Sequence, residues 1–266
     1  MSLAIIGAGN LGVAIARGLI DAEFCAPSEL QLTRRHPQAL EPLRALGCAT
    51  HADNARAVGE CERVIVAVEP QQIDRVLEPL AESFRDGQLL ISVASGVTLH
   101  QLRRRAGSRP TIVRAMPNTA VAVRQSMTCL SVESPGDERD VLPIFDALGT
   151  TLVIDEEQMT AATALAACGI AFFLRAVRAA SQGGIEIGIH SGQALAMAAQ
   201  TAKGAASLLL AEQKHPEREI DRVTTPRGCT IAGLNQMEHG GFSSAMIRGI
   251  TTSAEKASQL YARDED

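Results

Sequence analysis

The chain has 266 residues, 46% of them apolar and 21% charged, with a formal net charge of -5. That length fits two modest domains or one large one, and the composition is that of a globular chain able to bury a core rather than a disordered one. An acidic balance, a single tyrosine, no tryptophan and no basic block beyond RRR at 103–105 argue against nucleic acid as a partner and against aromatic stacking platforms. Cysteines at 25, 48, 61, 129, 168 and 229 show no CxxC pairing, so neither a disulfide framework nor a zinc site is indicated, and buried free thiols are expected. The six histidines lack ligand spacing, and no metal is expected. No apolar run reads as long and charge-free enough to span a bilayer, and MSLAIIGAG enters a strand-like segment without a basic leader. A cytoplasmic location and no membrane partner are the expectation.

LAII at 3–6 is followed by GAGNLG and by a helical pattern on Val13, Ala16, Leu19 and Ile20, which reads as strand, glycine turn and helix. The unit then recurs. LQLT at 30–33 precedes a helical stretch to about 46, RVIVAV at 63–68 precedes one from 71 to 84, and QLLISV at 88–93 precedes one from 98, where Thr98 and Gln101 form a capping box. Runs such as Val64, Ile65, Val66 and Val68 suit strands covered on both faces, as in a parallel sheet flanked by helices. RRR at 103–105 reads as the exposed end of a helix complementing its dipole. PTIVRA at 110–115 and MTCLSV at 127–132 add strands, ESPGD at 133–137 is a turn, and the alternation stops after TTLVIDEE.

From about 157 the pattern is helical. Ile170, Phe173, Leu174 and Val177 fall at i, i+3, i+4 and i+7, and alanine and leucine dominate 194–211. Alanine-rich helices with few bulky side chains pack closely and often bury themselves against a second subunit. A boundary is therefore expected near 156, and the tail ARDED reads as charged and frayed.

GAGNLG, Gly7 to Gly12, fits GxGxxG, a weak pattern alone that gains a mechanism from following a strand and opening a helix. Gly7 permits the tight turn, Gly9 lets the backbone approach a pyrophosphate, and Gly12 lets helix and strand pack closely. The helix amino terminus offers unpaired N–H groups to the anion. The end of the second strand selects the dinucleotide. An NAD site places a carboxylate there for the ribose hydroxyls, whereas this chain has Thr33, Arg34 and Arg35, a set suited to a 2′-phosphate. NADPH is expected over NADH.

With these pieces in place the chain resembles the pyrroline-5-carboxylate reductase family over nearly its whole length. The residues that carry the resemblance are GAGNLG at 7–12, AVEP at 67–70, SVASGVTL at 92–99, RAMPNTAVAV at 114–123 and HPEREIDRVTTPRGCTI at 215–231. It implies an α/β Rossmann domain (doubly wound, mostly parallel sheet) over 1–156 that binds NADPH, and an all-α dimerisation and substrate-binding domain over 157–266. It further implies a homodimer, often assembled into a decamer, that reduces the cyclic imine of 1-pyrroline-5-carboxylate to L-proline.

Carried over to the matching positions, the resemblance puts the cofactor against Gly7, Ala8, Gly9, Asn10, Leu11 and Gly12, then Asn54, Ala67, Val68, Glu69, Pro70 and Ala94, and the turn Met116, Pro117, Asn118. Met116 and Asn118 also border the substrate in this reading. VTTPRGCT looks like the family's substrate loop, usually VTSPGGTT. Thr225, Gly228, Cys229 and Thr230 would then hold the substrate carboxylate, with Thr230 as the catalytic group hydrogen-bonding the ring nitrogen. A loop running into a helix from about 228 presents unpaired amide donors, which agrees with that role.

The chain departs from the family at Arg227 and Cys229, at Glu69 where a lysine is usual, and at 167–172, where ACGIAF replaces Gly-Ser-Gly-Pro-Ala-Tyr. Two other readings stay open: a reductase of another cyclic imino acid, such as pyrroline-2-carboxylate or its piperideine homologue, and a catalytically decayed NADPH-binding paralogue. A β-hydroxyacid dehydrogenase shares the layout, but its chemistry leans on a lysine early in the helical domain, and no lysine precedes Lys203 here.

Overall fold

The structure, a computed structural model, describes residues 2–212 and 214–261. The ARDED tail lies outside the described residues. Contacts divide the chain into two compact units, one built from the residues through Cys168 together with those from Ser253, the other from Gly169–Thr252.

The first unit holds an eight-stranded sheet. Its strands are β1 Leu3–Ile6, β2 Leu30–Thr33, β3 Ala49–His51, β4 Arg63–Val66, β5 Leu89–Ser92, β6 Thr111–Met116, β7 Ser126–Val132 and β8 Gly149–Val153. They lie in the order β3-β2-β1-β4-β5-β6-β7-β8, with β6 and β7 antiparallel and every other neighbouring pair parallel. This is the doubly wound, Rossmann-like order, in which the chain reverses direction across the sheet on either side of β1. Along it run α1 Asn10–Asp21, α2 Glu41–Arg44, α3 Asn54–Glu60, α4 Ile73–Leu77, α5 Leu99–Ala106, α6 Leu142–Asp146 and α7 Met159–Ala162.

β1 and β5 are buried at every residue, as strands covered on both faces must be. Alternate residues serve the two faces. Leu3 and Ile5 join Ile15 and Leu19 of α1 and Phe145 of α6 in one apolar cluster, while Ala4 and Ile6 join Val58 of α3, Leu77 of α4 and Leu102 of α5 in another.

Several elements differ from expectation. β3 is a three-residue edge strand, too short to read from its sequence. The continuous helix expected over 71–84 is a 3-10 turn Pro70–Gln72, then α4, then a second 3-10 turn Glu78–Ser83. The stretch to about 46 is likewise split into a 3-10 turn Pro37–Leu40 and α2. Pro37 and Pro70 are the first residues of such turns, and Pro42 and Pro79 the second residues of α2 and of the turn Glu78–Ser83, places where the ring costs no hydrogen bond but the preceding helix cannot pass. The Thr98 capping box forms: its Oγ1 accepts from Gln101 N at 3.1 Å, and its N–H donates to Gln101 Oε1 at 2.9 Å.

RRR at 103–105 is not simply an exposed helix end. Arg105 is only 8% exposed, and its Nε donates to Asp74 Oδ1 of α4 at 2.8 Å. The Tyr261 hydroxyl donates to the same oxygen, and the Arg105 guanidinium lies 5.7 Å from the centre of the tyrosine ring. Burial and the Asp74 carboxylate push the Tyr261 phenol up to about 12. Residues beyond the boundary expected near 156 also belong with the sheet: Met159 packs with Met116 and Cys129, and a π-helical stretch Thr163–Cys168 follows α7.

The second unit contains α8 Gly169–Glu186, α9 Ser191–Glu212, α10 Pro216–Val223 and α11 Cys229–His239, while α12 Phe242–Ala257 begins in it and ends in the first. The expected apolar stripe on α8 is largely bare, with Phe173 63% and Leu174 62% exposed. One expectation needs correction here. The helical runs Glu156–Glu186 and Ser191–Glu212 are, by length and composition alone, apolar enough to cross a membrane. Their apolarity comes from alanine and leucine with few charges, a composition that serves a protein interface equally well.

Phe145 is fully buried in the cluster beneath α1. Phe145→Ala should cost about 3–5 kcal/mol of the stability of the sheet unit, read as a lowered thermal unfolding midpoint, because the surrounding strands cannot collapse into the space left.

Candidate active site

Around the carboxyl ends of β1, β2 and β4 lies a cavity of about 460 Å³. Open α/β sheets place ligands at this point, where the strand order reverses. The turn after β1 contributes Gly7 and Gly9, the end of β2 contributes Thr33, Arg34 and Arg35, the end of β4 contributes Ala67, Val68 and Glu69, and α3 contributes Asn54. Gly7 has φ +79°, and a Cβ there would sit 2.3 Å from Val68 Cγ1, so only glycine fits. Gly9 differs. A Cβ on it would meet nothing nearer than Gly7 O at 3.8 Å, so the protein itself does not require glycine at this point. The space beside Gly9 suits a group brought up close to the backbone. Gly9 also caps α1 without any side-chain hydrogen bond, leaving the first N–H groups of that helix available to an anion.

The walls carry unspent polar capacity. Thr33 is fully buried and its Oγ1 has no hydrogen-bond partner among the described residues. Arg34 and Arg35 are exposed and form no ion pair among the described residues. Glu69 is engaged locally, its Oε2 accepting from Gln72 Nε2 at 3.2 Å. No carboxylate stands at the end of β2, where a diol-binding acid would have to be. An open glycine, an orphaned hydroxyl and two free guanidinium groups fit a dinucleotide carrying a 2′-phosphate.

The remaining expected cofactor contacts do not line this cavity. Ala8 is buried in the core, and Asn10, Leu11 and Gly12 run along the first turn of α1. Pro70 starts the 3-10 turn before α4, and Ala94 is buried among apolar residues. Met116 packs on Cys129 and Met159. Asn118 spends its side chain inside the protein: Oδ1 accepts from Ala120 N at 3.0 Å, and Nδ2 donates to Ala166 O at 3.2 Å in the π-helical stretch. Conversely, His36, Gln72, Arg75 and Val76 line the cavity without having been read from the sequence. Gln72, Arg75 and Val76 recur at i, i+3 and i+4 across the end of the Pro70–Gln72 turn and α4, a spacing that periodicity could have shown.

In the helical unit, Gly228 N–H donates to Thr225 O at 2.9 Å, closing a turn with Pro226 second and Arg227 third. Arg227 has φ +59°, the left-handed value that the third position of a type II turn demands and that glycine adopts most cheaply. The family's usual glycine at this point thus has a conformational cause. Gly228 then caps α11 with no side-chain hydrogen bond, so the first amides of α11 are open donors. Thr225, Cys229 and Thr230 are exposed and Gly228 is half-buried. The expectation of buried thiols therefore fails for Cys229, the first residue of a helix that begins at an exposed turn, and Cys168 is only half-buried. The other four are buried, and desolvation pushes Cys25 and Cys61 up to about 11.

Residues 156–260 match the family model described as pyrroline-5-carboxylate reductase dimerisation, and residues 2–96 match that described as NADP oxidoreductase, coenzyme F420-dependent. Pyrroline-5-carboxylate reductase 1 of Dictyostelium discoideum is 49% identical over 99% of this chain, which spans 50% of that protein's length. Pyrroline-5-carboxylate reductase 2 of the same organism is 42% identical over 98% of this chain and 93% of its own length. Among solved structures, the Plasmodium falciparum pyrroline carboxylate reductase with NADP bound superposes with a TM-score of 0.88 at 24% identity, over 98% of each chain, a likeness of fold. On the identity and coverage of these relatives, the chain belongs to the pyrroline-5-carboxylate reductase family.

Proposed function

We propose that this chain reduces 1-pyrroline-5-carboxylate to L-proline with NADPH, the last step of proline biosynthesis. The observation that carries this reading is the cavity at the ends of β1, β2 and β4, whose open glycine and unpaired arginines suit a dinucleotide with a 2′-phosphate. The family relation supports the choice of substrate. Bound NADPH supplies a hydride, which goes to the imine carbon, while a proton on the ring nitrogen completes the secondary amine.

The chain's own residues position the reactants. The first N–H groups of α1 receive the pyrophosphate, and Thr33 with Arg34 receives the 2′-phosphate. In the helical unit the open amides of α11 and the Thr225 hydroxyl receive the substrate carboxylate, and Thr230, the second residue of that helix, hydrogen-bonds the ring nitrogen. An imine protonated from solvent before binding needs only this orienting contact.

The bare apolar stripe on α8 and the match to a dimerisation model support a homodimer through the helical unit, with a decamer as a further level of assembly. Six free cysteines accord with a cytoplasmic, reducing setting. A second reading has one observation in its favour: Arg227 and Cys229 alter the loop that would hold the ring, which suits a different cyclic imino acid. Assaying pyrroline-5-carboxylate, pyrroline-2-carboxylate and piperideine carboxylates with NADPH decides between them, and the highest kcat/KM names the substrate.

Replacing Arg34 by alanine should raise the Kd for NADPH about tenfold or more while changing that for NADH little, since only the former loses a charge-assisted contact. Unchanged NADPH affinity in titrations would remove the cofactor assignment. Thr230→Ala should lower kcat about 100-fold with NADPH affinity intact; full turnover in this variant would move catalysis away from the loop. Arg227→Gly should raise the thermal midpoint, relieving up to about 1 kcal/mol of left-handed backbone strain.

A further inference from the structure

The cavity at the ends of β1, β2 and β4 contains one more cation than the glycine motif and the second strand account for. Arg75 lies on α4, the helix that follows β4, and it lines the same cavity as Arg34 and Arg35. β2 and β4 are the two neighbours of β1, so their ends are two strand spacings apart, about 10 Å. Guanidinium groups reaching in from the two flanks can meet on one group lying above β1.

We propose that Arg75 is a specificity residue for the adenosine 2′-phosphate, closing on it from the flank opposite Arg34 and Arg35. The proposal rests on the NADPH reading above. Arg75 is exposed and, like Arg34 and Arg35, forms no ion pair among the described residues. Glu69, the carboxylate on this wall, is already bonded to Gln72 and is not in ion-pair contact with Arg75. Three unpaired cations around one cavity repel each other, and a phosphate monoester with close to two negative charges relieves that repulsion where a ribose hydroxyl does not.

Arg75 is also held in place. Its neighbours Ile73 and Leu77 are fully buried, and Asp74 is bonded to Arg105 and to the Tyr261 hydroxyl. A five-residue helix braced on both sides has little freedom to swing, so the backbone of Arg75 is fixed beside the cavity while its exposed side chain reaches into it. Glu69 removes the lysine usual for the family on this wall, and Arg75 returns a positive charge on the helix that follows.

Equilibrium titration of the purified oligomer with NADPH, NADP and NADH tests the proposal without any turnover. In Arg75→Ala, the Kd for NADPH and NADP should rise about tenfold or more, and that for NADH should stay within about twofold. Arg75→Lys should recover part of the loss, and the salt dependence of NADPH binding should become shallower in Arg75→Ala. Equal weakening of NADPH and NADH would overturn the proposal, since it would mean that Arg75 stacks on the adenine. Unchanged NADPH binding in Arg75→Ala alongside a loss in Arg34→Ala would overturn it alone. Unchanged binding in both variants would overturn the cofactor reading of the cavity as well.

Discussion

Two backbone hydrogen bonds, from Gly7 N–H and Ala8 N–H to the Thr33 carbonyl at 3.1 and 2.8 Å, hold the turn after β1 against the end of β2. Most of the site's geometry follows from them. They fix the left-handed Gly7, which must lack a side chain because Val68 of the β4 end occupies the place a Cβ would take. With the turn pinned, α1 leaves the sheet with its first amides uncapped beside Gly9. The hydroxyl and arginines of 33–35 are held on the neighbouring flank of the same opening. A slip of β2 by one residue against β1 would turn the side chains of β2 to the opposite face and take Thr33 out of register with the glycine turn.

The helical unit offers anions the same chemistry by a shorter route. There is no strand behind the loop 225–228; a proline and a left-handed residue bend the chain sharply enough to start a helix with its amides bare. Both places use backbone donors, whose direction is set by main-chain geometry rather than by side-chain rotamers. Such donors tolerate changes in neighbouring side chains, which explains how Cys229 can replace a threonine while the cap remains.

The strands were legible because fully buried β-branched runs such as 64–66 have little other use, and the glycine turn because Gly7 and Gly12 meet steric needs of the fold while Gly9 leaves room beside the backbone. β3 was not legible, since three residues of mixed exposure at a sheet edge carry no period. The proline breaks in 37–44 and 70–83 interrupt an apolar rhythm that continues through them, so periodicity alone reads each stretch as one helix. Arg105 looked like a solvated helix end because its partners Asp74 and Tyr261 are distant in sequence, and no local pattern announces a long-range ion pair. Arg75 was hidden for the opposite reason. It sits on the short helix after β4, where a charged residue reads as solvated, and only the order of the strands brings it beside 33–35.

The place of Tyr261 has a bearing on how the chain reaches this form. Its ring belongs to the apolar cluster under α3, α4 and α5, although the intervening stretch Gly169–Thr252 forms a separate compact unit. The nucleotide-binding half is thus discontinuous along the polypeptide. During synthesis it stays unfinished until the last helix has emerged, with Asp74 and Arg105 facing water in the meantime. A fragment ending before α8 would carry every strand and the glycine turn, yet would lack the piece that seals one face of its interior.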